Sequence, residues 1–202
     1  MTRQLPLTVT AHLPNVAAQP RPHPQVMSPL MDFEQLESLT YDPEQRSGFR
    51  AGDLARSWAQ EFPFLFSAPD LERALNQPPH HYFEWAAAVH LFRSRGHLSV
   101  MKCEFPNAGL PKGAVVQRLL GPEVADWLQS RQSQRVVQCP DLLVHSPDMA
   151  DAYFCEVKGP TDRLRRSQVE FFQTLRARTG KAVKVLRFKY QTSGQPPAGK
   201  SG

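Results

Sequence analysis

The chain has 202 residues, 41% of them apolar and 21% charged, which suits one globular domain with tails and argues against a second full domain. Its longest apolar stretches fall well short of the roughly 18 residues of a membrane span, and LPLTVTA near the start is too short and proline-broken for an export signal. The net charge of +5 is unevenly placed: residues 32–84 hold ten acidic and four basic side chains, residues 158–190 ten basic and two acidic. The C-terminal third is therefore a footprint for a polyanion, nucleic acid first.

Residues 1–30 carry six prolines and no acidic residue and read as a flexible leader, and QTSGQPPAGKSG (191–202) reads as a flexible tail. Residues 31–80 predict a helical extension made of DFEQLES, GDLARSWAQEF with Asp53 as N-cap, and APDLERAL with Pro69 in the first turn. His80-His81 predicts a polar loop or cap. HYFEWAAAVHLFRSRG predicts a helix stopped by Gly96, with Trp85, Ala88, Val89, Leu91 and Phe92 on its apolar face and Glu84 at the edge of that face.

HLSVMKCEF (97–105) predicts a strand and PNAGLPKG a loop, followed by an inserted helical segment, AVVQRLL then PEVADWLQSRQ. RVVQCPDLLVH (135–145) predicts a strand bent near Pro140, and AYFCEVK (152–158) another. GPTDRLRRSQVEFFQTLRARTG predicts a long helix capped by Thr161 or Asp162 and stopped by Gly180, and KAVKVLRFK a last strand. Residues 81–190 thus form an α/β domain. Its three cysteines, Cys103, Cys139 and Cys155, lack paired spacing; packing is the better reading than a disulfide or a thiolate zinc site, and a reducing, cytoplasmic setting follows.

On the 152–158 strand Glu156 and Lys158 point to one side, opposite Tyr153, Cys155 and Val157. Asp141 lies in the preceding strand, one short connection away, so pairing of the two strands brings the carboxylates together. Two hard oxygen donors with open coordination positions suit a magnesium ion in phosphoryl chemistry, and a lysine beside them suits orienting a water and stabilising phosphate charge. In the next helix Leu164, Gln168, Phe171 and Leu175 form the inward stripe, which places an amide where an apolar residue is expected. Glu84 is a further candidate metal or water ligand.

PDLLV (140–144) followed by EVK (156–158) resembles the PD-(D/E)XK nuclease signature, and the element order resembles that superfamily's restriction-endonuclease-like αβββαβ core. PDLLVH and FCEVKGPTDRLRRSQVEFFQTLR are similar to the VRR-NUC family, whose members include the Fanconi-associated nuclease and stand-alone phage and bacterial nucleases. The resemblance implies a Mg2+- or Mn2+-dependent, structure-specific DNA endonuclease. Asp141, Glu156 and the Val157 carbonyl would hold the metal, Lys158 would be the catalytic lysine, and Glu84 and Gln168 would support them.

Arg163, Arg165, Arg166 and Lys184, on the basic helix and last strand, are expected on the DNA backbone. The sequence departs from the family at Gln138-Cys139, where a glycine often precedes the PD pair, and at Arg165, where a serine is common. Two settings are open: repair of branched or flapped DNA, with phage relatives acting as homodimers, or an antibacterial toxin of the type VI secretion kind. A toxin would enter a target cell's cytoplasm without a signal peptide and be matched by an immunity protein. A catalytically inactive DNA-binding module is the alternative from another class.

Overall fold

A computed structural model describes residues 33–78, 80–102, 112–133 and 138–190. The proline-rich leader, the C-terminal tail, Cys103 and most of the loop expected after the first core strand lie outside them. The elements are β1 (Glu34–Thr40), α1 (Pro43–Ala51), α2 (Asp53–Glu61), α3 (Ala68–Asn76), α4 (Tyr82–Arg95) and β2 (Leu98–Met101). There follow α5 (Gly113–Leu120), α6 (Pro122–Ser133), β3 (Leu142–His145), β4 (Ala152–Lys158), α7 (Arg166–Thr179) and β5 (Val183–Lys189). From α4 onward the expected αβββαβ order is present, with α5 and α6 inserted between β2 and β3.

The five strands form one sheet in the order β1-β5-β4-β3-β2. β2, β3 and β4 pair antiparallel, β3 and β4 through a short connection and β2 and β3 across the inserted α5 and α6, whereas β4–β5 and β5–β1 are parallel. The parallel β4–β5 step needs a crossover, and α7 provides it. Alternation along the strands divides the core. Tyr153, Cys155, Val157 and Leu186 pack with Trp85, Ala88 and Leu91 of α4, while Phe154, Leu143 and Val185 pack with Val169, Phe172 and Leu175 of α7. Helices on both faces leave the end of β4 as the place where both layers can reach one site.

Residues 31–80 are not wholly helical. The stretch read as a first helix is β1, added in parallel to β5. Phe33, Leu36 and Leu39 are three apart, as on a helix, but the register slips between Gln35 and Glu37, so Leu36 is the extra residue of a bulge. That insertion turns a period of two into a spacing of three. α2 begins at Asp53 with Gly52 at the cap in a left-handed conformation (φ 90°), so Asp53 lies in the first turn rather than at the N-cap. Ser67 caps α3 reciprocally with Asp70, and Pro69 sits in the first turn as expected.

This N-terminal unit shares its core with the part that runs from α4 to β5. Phe66 stacks on Trp85 of α4 (centroids 3.7 Å apart, planes 3° from parallel), and Phe49 and Trp58 pack around Tyr82. Lys112, before α5, donates to Asp70 (3.3 Å), which is buried, and to the Leu65 carbonyl, tying the inserted helices to the same unit.

Candidate active site

Register places the site. Leu142 faces Cys155, so one step further out Asp141 stands opposite Glu156 and Pro140 opposite Val157. Proline has no amide hydrogen, which ends the ladder there. The Val157 N–H donates instead to Asp141 Oδ2 (2.9 Å), and Lys102 N donates to the Asp141 carbonyl (2.8 Å) with its ammonium 3.7 Å from Asp141 Oδ1. The bend expected at Pro140 is thus what frees the Asp141 carboxylate and the end of β4 from ordinary pairing.

Glu156 and Lys158 are 2% and 7% exposed. Lys158 Nζ donates to Glu156 Oε1 at 2.6 Å and to Gln168 Oε1 at 3.2 Å. Gln168 Nε2 donates to the same Glu156 oxygen at 2.7 Å, and Gln168 Oε1 also accepts from Arg165 N–H at 3.1 Å. One amide therefore caps α7 and orients both charged side chains. Glu156 Oε1 has two donors, whereas Oε2 is buried with no partner among the described residues. A buried carboxylate oxygen left in that state is expensive unless a cation completes it.

The electrostatics agree. Burial, then the charges of Glu156 and Glu84, push the Asp141 carboxyl well above the usual aspartate range, and Lys102 offsets this only in part. Burial also raises Glu156, despite Lys158 and Gln168. Burial lifts Glu84, but the close approach of His81 (3.7 Å), with its charge and that of Lys102, outweighs it and holds Glu84 low. The charges of Glu156 and Glu84 thus both bear on Asp141. Among the described residues no three His, Cys, Asp or Glu side chains form a cage by themselves. The donors instead fit a magnesium-like ion, which takes one or two carboxylates and completes its shell with water and phosphate oxygens. The unpartnered Glu156 oxygen is the observation that favours the fit.

Compared with known protein families, residues 85–188 match the VRR-NUC domain. The chain belongs to the VRR-NUC domain family. No curated protein matches it. A VRR-NUC domain is a nuclease-type, DNA-processing domain, and the matched span contains Asp141, Glu156, Val157, Lys158 and Gln168, with Glu84 one residue outside it. Among the described residues no helix is long and apolar enough to cross a membrane.

Several expected placements change in this VRR-NUC domain. α7 begins at Arg166, not at Thr161 or Asp162, because Asp162 is used elsewhere: its carboxylate accepts from Gly159 N–H (3.0 Å) and its carbonyl from Arg187 Nη1 (2.9 Å). Leu164 therefore precedes the helix, and the buried stripe is Val169, Phe172 and Leu175, with Gln168 and Phe171 on its flank. Arg163 and Arg165 are exposed in the loop before α7; Arg166 is exposed on its first turn, paired with Glu170 at 2.8 Å. Lys184 is not brought to the site. It faces Cys155 in the register, on the sheet face opposite Glu156, where it pairs with Glu34 (3.2 Å) and lies over the Tyr153 ring.

The residue beside Lys158 on β5 is Arg187. Arg187 and Lys102 are cations at the site beyond those expected from the sequence. Lys102 is visible as a charge in an apolar strand, and antiparallel pairing with the next strand, β3, leads to Asp141. His81 also gains a role: at the head of α4, with φ 71°, it bonds Gln77 (3.1 Å) and lies beside Glu84. Cys139 and Cys155 are buried, and burial lifts the Cys139 thiol to about 12, which suits packing rather than metal binding.

Gly159 has a steric reason to be glycine. A Cβ there would lie 2.8 Å from the Phe83 ring and 3.0 Å from Asp162 Oδ2, the groups that fix the turn out of the site. Gly159→Ala is expected to destabilise the fold by about 1–3 kcal/mol, seen as a lower denaturation midpoint at unchanged m-value.

Proposed function

We propose that this protein is a Mg2+- or Mn2+-dependent, structure-specific DNA endonuclease that hydrolyses phosphodiester bonds. The observation that carries the reading is the buried, unpartnered Glu156 Oε2 beside Asp141 at the end of β4. Asp141, Glu156 and the Val157 carbonyl would hold the metal, with Glu84 supporting from α4. A divalent cation there supplies Lewis-acid activation of water and neutralises phosphate charge.

The protein's own part is positioning and charge. Lys158, held between Glu156 and Gln168, presents an ammonium that orients the attacking water and hydrogen-bonds the phosphate as negative charge develops. Gln168 is the positioning residue, since it fixes both partners and the start of α7. Arg163, Arg165 and Arg166, exposed around the α7 start, take neighbouring phosphates without reading bases.

The test is cleavage of linear, nicked, flapped and four-way-junction DNA with magnesium, with manganese and with chelator. Metal-dependent cutting that favours branched substrates is expected. Absence of cutting on every substrate with either metal would leave a DNA-binding module and overturn the assignment. Harmless expression in bacteria accompanies a repair role, whereas toxicity relieved by a neighbouring gene's product marks a toxin.

A further inference from the structure

A cavity of ≈ 270 Å³ adjoins the site, lined by Glu84, Val157 and Gly159 and also by Tyr41, Arg46 and Tyr190. The last three come from the end of β1, from α1 and from the residue after β5, and all lie outside the span matched to the VRR-NUC domain.

Arg46 is half-buried and poorly matched to its surroundings. Its guanidinium lies over the Tyr41 and Phe83 rings (5.9 and 5.3 Å to the centroids). Its Nε is buried without an acceptor among the described residues, and Nη1 donates to the Tyr41 hydroxyl at 3.5 Å. The nearby acids are already engaged: Asp42 caps α1 through Glu44 N and Gln45 N, Asp162 holds Gly159 N–H, and Glu84 faces His81. A half-buried guanidinium whose Nε is buried and unsatisfied, with no carboxylate paired to it among the described residues, suits an oxyanion that enters from outside. Tyr190 is 62% exposed and meets Tyr41 edge-on (5.7 Å, 77°), so a ring face remains open to solvent at the cavity mouth.

We propose that this cavity is a subsite for the nucleotide adjoining the scissile bond, with Arg46 taking its phosphate and Tyr190, braced by Tyr41, stacking on its base. The inference rests on the nuclease reading, because Val157 and Glu84, proposed above for the metal, line the cavity. The ligand class is an unpaired DNA strand, since a stacked base must leave its duplex partner, and such contacts tolerate any sequence.

The experiment uses the full chain carrying Glu156→Gln, so that bound DNA stays intact, and a fluorescein-labelled single-stranded oligonucleotide read by anisotropy. Adding Arg46→Ala is expected to weaken binding roughly tenfold and to lower the slope of log K against log salt by about 0.7, one phosphate contact on a single strand. Arg46→Lys should recover part of the affinity. Tyr190→Ala, at an exposed position that does not threaten folding, should weaken binding about tenfold. That loss should disappear on an oligonucleotide abasic at the adjoining position. In the cutting-competent protein both substitutions should raise KM more than they lower kcat. Binding, salt slope and KM within twofold of the parent for both variants, in a protein that still cuts, would overturn the subsite and leave the nuclease standing. A parent that neither binds nor cuts DNA would overturn both.

Discussion

Glu156→Gln is expected to lower metal-dependent DNA cleavage at least about a thousandfold, equivalent to losing roughly 4 kcal/mol of transition-state stabilisation, while the protein stays folded. The substitution is chosen for what it preserves. The glutamine oxygen can still accept from Lys158 and from Gln168, the two donors that Glu156 Oε1 holds at 2.6 and 2.7 Å. What changes is Oε2, the buried atom without a partner: an acceptor becomes an amide donor that repels a cation. Lys158→Ala should abolish cleavage as well, but it strands Glu156 in an apolar surrounding, and breaking a buried pair costs about 3–5 kcal/mol. Its loss of activity would therefore mix chemistry with instability. Circular dichroism and a denaturation midpoint close to the parent's, beside lost cutting, give the expected pattern for Glu156→Gln. A variant that cuts at the parent's rate would remove Glu156 from the site.

The core of this site was readable because its signals are short-range. Strand alternation puts Glu156 and Lys158 on one side, a tight connection brings Asp141 opposite, and α7 returns Gln168 to them; none of these needs knowledge of a distant contact. The errors fall where tertiary structure overrides a local pattern. The β1 bulge gave DFEQLES the spacing of a helix, and only pairing with β5, some 150 residues later in register (Glu34 with Lys184), shows it to be a strand. Thr161 and Asp162 looked like caps because such residues usually are, yet Asp162 serves Gly159 and Arg187 instead. Lys184 was grouped with the basic third by charge alone, although alternation along β5 puts it on the face away from Glu156 and puts Arg187 beside Lys158.

Asp141→Asn separates function from stability with the opposite sign to an ordinary salt-bridge mutation. Burial and two neighbouring carboxylates hold the Asp141 pKa in the folded protein well above its unfolded value, which is about 4. Between those two values the folded state binds more protons than the unfolded one, so the metal-free protein gains stability as pH falls through that window and loses it as pH rises through it, the loss being complete above the folded pKa. Asparagine removes the titration and keeps an oxygen for the Val157 N–H, the bond that Asp141 Oδ2 now accepts at 2.9 Å. In chelator above neutral pH the variant should therefore melt higher than the parent, by about 2–4 °C for each kcal/mol gained in a chain of this size. The advantage should shrink steadily as pH is lowered toward 4. Magnesium or manganese reverses the order, because a cation bound only by the folded parent adds about 2.7 kcal/mol at a hundred times its Kd, whereas the variant lacks a ligand. Thermal melts of both proteins across pH, with metal and with chelator, read all of this without any cleavage assay. A variant that melts below the parent in chelator at every pH would show that Asp141 is a structural acceptor, with no charge held in readiness for a metal.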